Sequence, residues 1–230
     1  MNQGAQVLTP AGGGALAAQR NRVLRNTYWL LALSMVPTVL GAWIGVQTGI
    51  SQAMSPGIGL VVFLAGAFGF MFAIEKTKNS AAGVPLLLAF TFFMGLMLAR
   101  LLGVVLGLSN GTGLVMTAFA GTGVIFLGMA TMSTVVKRDL TQMGKFLFIG
   151  MIMLLVAMIA NFFIQSGPLM ITLSVLAIGI FSLFILHDLK RVQDGVETNY
   201  ITATLGVYLS LYNVFSNLLA LLGIFGGDSD

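Results

Sequence analysis

The sequence predicts an all-α membrane protein of seven transmembrane helices, on three observations. Seven apolar stretches are each long enough to cross a bilayer, whose hydrocarbon core of about 30 Å takes roughly 20 helical residues. The composition is 57% hydrophobic and only 8% charged, which leaves too little polar surface for a water-soluble globule of 230 residues. Ten of the eleven Lys and Arg residues also fall in four clusters, and these alternate along the chain with uncharged connections.

The first expected span, residues 28–46, follows Arg20, Arg22 and Arg25 and contains Pro37, which removes a backbone donor and can kink the helix. The second, 57–74, starts beside Pro56, where a missing donor costs little, and ends near Lys76 and Lys78. The third, 84–106, begins beside Pro85 and contains Arg100, while the fourth, 113–135, precedes Lys137, Arg138 and Lys145. The fifth, 146–164, is uncharged. The sixth, 169–186, follows Pro168 and runs into His187, Asp188, Lys190 and Arg191. The seventh covers 201–225. Cationic loops resist translocation, so the clusters mark the cytoplasmic face and put the N-terminus inside. Seven crossings then place the C-terminus in the periplasm, where residues 226–230 carry two acids and no Lys or Arg.

Residues 1–20 are expected to form a flexible cytoplasmic tail, since Gly12, Gly13 and Gly14 lie among several Ala. Residues 1–18 lack the charged start and apolar core of a cleavable signal peptide. Residues 21–230 are expected to form one seven-helix domain, because every connection is short. Small-residue pairs within spans, such as Gly41 with Gly45, fit close helix packing inside the bundle better than a dedicated dimer interface.

The missing residues exclude several activities. All five Lys lie in loops or at span ends, so none can carry a retinal Schiff base within a span. One His and no Cys leave no metal cluster, and neither a metal nor a cofactor is expected. His187, Asp188 and a serine from another helix lack the G-x-S-x-G or H-E-x-x-H context of a hydrolase, so the chain is not expected to be an enzyme. The net charge of +4 reports topology, and no nucleic-acid partner is expected.

Three polar features at membrane depth are candidates for function, because desolvation makes such groups rare. Arg100 lies toward the outer end of the third span, either snorkelling to the headgroups or acting as a pore charge or the partner of a buried group. Asp188 lies where the sixth apolar run gives way to charge. It is a pH-sensitive latch if it packs inside the bundle, or an interfacial carboxylate paired with Lys190, Arg191 or Lys76. His187 beside it can add sensitivity near neutrality. The seventh span holds Thr204, Tyr208 and Tyr212 at steps of four, Asn213 and Asn217 likewise, and Ser210 and Ser216. A helix so polar belongs at the centre of the bundle, bonded to neighbours or lining a wet cavity.

The segment Asp194-Gly195-Val196-Glu197-Thr198-Asn199-Tyr200, followed by Tyr208-x-x-x-Tyr212-Asn213, closely resembles the C-terminal signature of the Bax inhibitor family. Arg22 to Tyr28, Lys76-Thr77 and Asn79-Ser80 are similar to the same family's bacterial YccA-like branch. The resemblance implies six helices surrounding a central polar seventh, in a multi-pass protein of the bacterial inner membrane. It also implies two roles. One is restraint of the membrane-anchored AAA protease FtsH, which can grip a cytoplasmic tail. The other is a pH-sensitive calcium leak that uses two aspartates, one aligning with Asp188 and the second with Ser210. Serine at that position resembles the YccA-like branch and replaces the shared proton with, at most, an Asp188–Ser210 hydrogen bond. Arg100 stands where relatives tend to have Gly followed by Pro.

Overall fold

The computed structural model describes residues 11–226. In chain order the elements are α1 (Ala11–Thr48), the short turn α2 (Ile50–Ala53), α3 (Pro56–Thr77), α4 (Gly83–Leu106), α5 (Gly111–Val135), α6 (Thr141–Ile164), α7 (Gly167–Gln193) and α8 (Tyr200–Gly226). Among the described residues, seven of these helices are long and apolar enough to span a membrane, as expected. Two ends differ from expectation. α1 begins at Ala11, so residues 11–20, expected to be flexible, are helical; Ala, Leu, Gln and Arg from Ala15 onward are good helix formers and outweigh the glycines before them. Residues 1–10 of the expected tail lie outside the described residues. α7 continues seven residues past the expected end, which puts His187 and Asp188 inside a helix. Both Pro56 and Pro168 stand in the first turn of their helices behind a serine cap, Ser55 and Ser166.

Side-chain contacts gather the cation-bearing helix ends at one face of the bundle. Asn199 before α8 bonds to Lys78 O and Asn79 after α3, and Gln193 of α7 donates to Ser133 Oγ of α5 at 2.7 Å. Arg20 of α1 lies against Gly195, and Gly144 of α6 lies against His187. At the opposite face, Gln52 meets Gly103 and Leu114 meets Gly226.

α8 occupies the centre. It packs directly on α1, α4, α5 and α7, while α3 lies on α4 and α6 on α7. The six surrounding helices therefore form two tiers, an inner four and an outer two. α8 is the least apolar of the seven spans, yet Phe225 is its only exposed residue. In the outer tier Phe68, Phe72, Phe146 and Phe163 point outward, toward lipid. Tyr208, Phe90, Leu87, Met94 and Ile185 fill the interior.

The tightest crossing joins α1 to α4. A Cβ on Gly41 would meet the Phe92 carbonyl, one on Gly95 the Thr38 carbonyl, and one on Gly45 the Ala99 side chain. Removing side chains there lets two backbones touch, which matters where burial from water cannot drive association. Gly66 of α3 similarly seats the Phe93 ring. These glycines serve packing within the bundle.

Candidate functional site

The segment between α7 and α8 is a folded clamp. Gly195 takes a left-handed conformation, φ 76°, which favours glycine and turns the chain after α7. Lys190 reaches Asp194 at 2.8 Å and Arg191 reaches Glu197 at 3.8 Å, tying the end of α7 to the turn. Glu197 Oε1 accepts the Asn199 N–H at 2.8 Å. Asn199 then caps α8: its Oδ1 accepts from the N–H groups of Ile201 (2.9 Å) and Thr202 (3.2 Å), two of the donors a helix start leaves unpaired. Its amide nitrogen donates to Lys78 O and Asn79 Oδ1 across the bundle. Glu197 and Asn199 of the motif thus fix where α8 starts. Tyr200 contributes its carbonyl, which accepts from Thr204 Oγ1 at 2.7 Å.

Behind this clamp lies Asp188. The Lys and Arg residues considered as partners bond elsewhere: Lys190 and Arg191 hold the clamp acids, and Lys76 sits over the Phe72 ring. Asp188 instead meets its neighbour, with His187 Nδ1 and Asp188 Oδ1 3.1 Å apart. His187 is buried, edge-on to Phe184, with Nε2 against Gly144 of α6. The other carboxylate oxygen faces Gly206 of α8, where a Cβ would stand 2.7 Å away. The hydrogen bond that the sequence left open between Asp188 and Ser210 is not formed. Ser210 is buried and donates to the Gly206 carbonyl at 3.0 Å, within its own helix, as serine at membrane depth readily does.

A cavity of ≈ 200 Å³ opens beside Asp188, lined by Asp188 and Arg191 of α7, Glu197, and Thr202, Ala203, Leu205, Gly206 and Leu209. Two carboxylates and one guanidinium face it. Thr202 Oγ1 at its wall is buried without a hydrogen-bond partner among the described residues.

The face that carries Thr204, Tyr208 and Tyr212, expected either to bond to neighbours or to line a wet cavity, is a different one, and it bonds to neighbours. Thr204 is fully buried, with Oγ1 also 3.4 Å from Thr27 O of α1. Thr38 donates to Ser34 O at 2.8 Å, so its oxygen accepts from Tyr208 OH at 2.9 Å; Thr91 O lies 3.4 Å from the same phenol. Tyr212 OH donates to Met94 O at 3.3 Å. The phenols thus bond α8 to α1 and α4. Asn213 and Asn217 donate to Leu209 O and Asn213 O, and Ser216 to Asn213 O, all within α8.

A family model described as Inhibitor of apoptosis-promoting Bax1 matches residues 20–227. The chain belongs to the Bax inhibitor family. A protein of Escherichia coli named Modulator of FtsH protease YccA is 36% identical over 90% of this chain and 92% of its own length. An uncharacterised membrane protein of Vibrio cholerae is 36% identical over 90% and 91%, and an uncharacterised protein of Pseudomonas aeruginosa 37% over 93% and 95%.

In this Bax inhibitor chain the sequence singled out Asp188, His187 and the clamp but passed over Gly206, Gly144 and Thr202. Gly206 stands four residues before Ser210, and a side chain there would displace the carboxylate. No spacing rule marks it. Arg100 is remote from Asp188, at the opposite end of the bundle. Its Nη1 lies near Gly59 in the first turns of α3, 3.4 Å from where a Cβ would stand.

Proposed function

We propose that this protein is an inner-membrane partner and modulator of an FtsH-type membrane-anchored protease, acting without catalysis of its own. The observation that carries the reading is the likeness, over nine-tenths of the chain, to an Escherichia coli protein with that name. A second feature supports it. Residues 11–25 of α1 continue the helix about 20 Å at helical rise beyond the apolar part of the span, on the face we assign to the cytoplasm. The full chain should co-isolate with the protease, and deleting residues 2–18 should change its turnover by that protease. Absence of co-isolation together with unchanged turnover contradicts the reading.

A second reading, a pH-sensitive cation leak gated around Asp188, is favoured by one observation: a carboxylate without a Lys or Arg ion pair among the described residues borders a cavity next to the only histidine of the chain. Such a leak would carry calcium or another cation past α8. Liposomes containing the full chain should pass calcium in a pH-dependent manner that Asp188→Asn alters. No flux at any pH, or flux indifferent to the substitution, removes it.

A further inference from the structure

Asn21, Leu24, Arg25, Tyr28 and Trp29 line a groove of ≈ 410 Å³ along α1. Their spacing of three and four residues puts them on one helix face. Tyr28 meets Phe126 of α5 edge-on, with centroids 6.2 Å apart, so this face looks toward α5. α1 packs mainly on α4, α7 and α8, which leaves the groove uncovered by the described residues. Trp29 is 72% exposed, and Asn21 and Arg25 are exposed beside it.

The groove changes character along its length. Its outer end, at the cation-bearing face, carries the Asn21 amide and the Arg25 guanidinium. About one turn deeper it is the rings of Tyr28 and Trp29, with Leu24 at the level of Arg25. A ligand with an anionic head and an apolar tail matches both ends at once. We propose that the groove binds one anionic glycerophospholipid, its phosphate on Arg25 and Asn21 and an acyl chain against Leu24, Tyr28 and Trp29. Guanidinium matches phosphate oxygens through paired N–H donors, and aromatic rings favour the interface between headgroups and tails. A peptide helix would need an acidic residue and an apolar stripe in the same order; lipid supplies that order throughout the bilayer.

The test uses the full chain in vesicles. The protein has two tryptophans, so Trp43→Phe leaves Trp29 as the sole indole. Brominated phosphatidylglycerol and brominated phosphatidylcholine are titrated separately, and quenching of Trp29 is read. The anionic lipid should reach half-quenching at about a fivefold lower mole fraction, the preference one surface cation supplies. Arg25→Gln should bring the ratio close to one, whereas Lys145→Gln, a basic residue at the same face but on α6, should leave it. In the reverse reporter, Trp29→Phe, Trp43 near the far end of α1 should show no preference. Millimolar inorganic phosphate should not relieve the quenching. Equal quenching of Trp29 by both lipids overturns the proposal, as does a preference that survives Arg25→Gln or falls equally with Lys145→Gln. Weak quenching by either lipid means that protein covers the groove, and relief by phosphate means that the headgroup alone is the ligand; both contradict the assignment.

Discussion

Two faces of α8 lie at nearly the same depth, and they behave differently. On one, Thr204, Tyr208 and Tyr212 form hydrogen bonds to α1 and α4, with Thr204 and Tyr208 almost wholly inaccessible. On the other, Thr202, Leu205, Gly206 and Leu209 border the cavity at Asp188, though the face is mostly apolar. Polar side chains alone therefore do not mark where water or a ligand reaches. The decisive difference is the opposing surface. Where α1 and α4 meet, glycines let backbones close up and the phenols find carbonyls; where α7 meets α8, a carboxylate occupies the space a side chain at Gly206 would fill.

The dry face can be broken hardest at its glycines. Gly95→Leu would drive a side chain into the Thr38 carbonyl, an immovable backbone atom, so overpacking should cost about 3 kcal/mol or more. Thermal unfolding in detergent should show the largest drop of any variant here; a shift no greater than that of Tyr208→Phe would mean that the α1–α4 contact is loose. Next is Asn199→Ala, which removes the α8 cap and the bonds to residues 78 and 79 and should cost about 1–2 kcal/mol, read in the same melt. A neutral outcome would show that the clamp does not position α8.

Tyr208→Phe keeps the ring against Phe90 and deletes only the hydroxyl, so it should lose about 0.6 kcal/mol, the average for bonds between membrane helices, and no more than about 1.7 kcal/mol. Combining it with Thr38→Val should give less than the sum of the two single effects; strict additivity would deny that the two hydroxyls are bonded. The smallest effect is expected on the cavity face. Gly206→Ala meets the end of a mobile side chain, Asp188, so the melt should move by less than about 1 kcal/mol while the carboxylate shifts aside. A larger loss would place the Asp188–Gly206 contact among the structural ones.

The seven spans were legible because bilayer thickness fixes their length, and five of the seven expected starts lie within two residues of a helix start. The burial of α8 was legible too, since Thr, Tyr, Ser and Asn residues in such number have no place in hydrocarbon. What the sequence left open is direction around that helix. A repeat of four places Thr204, Tyr208 and Tyr212 on one face without saying which neighbour that face meets. The partner of Asp188 was equally hidden, because Lys190 and Arg191 have closer acids in Asp194 and Glu197, and those contacts depend on the turn at Gly195. The helical stem at residues 11–20 was missed because three glycines in a row suggest a coil, while the chain after them favours continuation of the span.

The chain contains no cysteine, so single thiols can map the two faces directly. Leu205→Cys and Thr204→Cys occupy adjacent positions at one depth, the first on the cavity face and the second on the dry face. A membrane-impermeant methanethiosulfonate applied from the cation-bearing side should modify the cysteine at 205 at least about tenfold faster than that at 204, because thiol reactivity follows exposure. Equal rates, or faster reaction at 204, would contradict the division of α8 into a dry face and a cavity face.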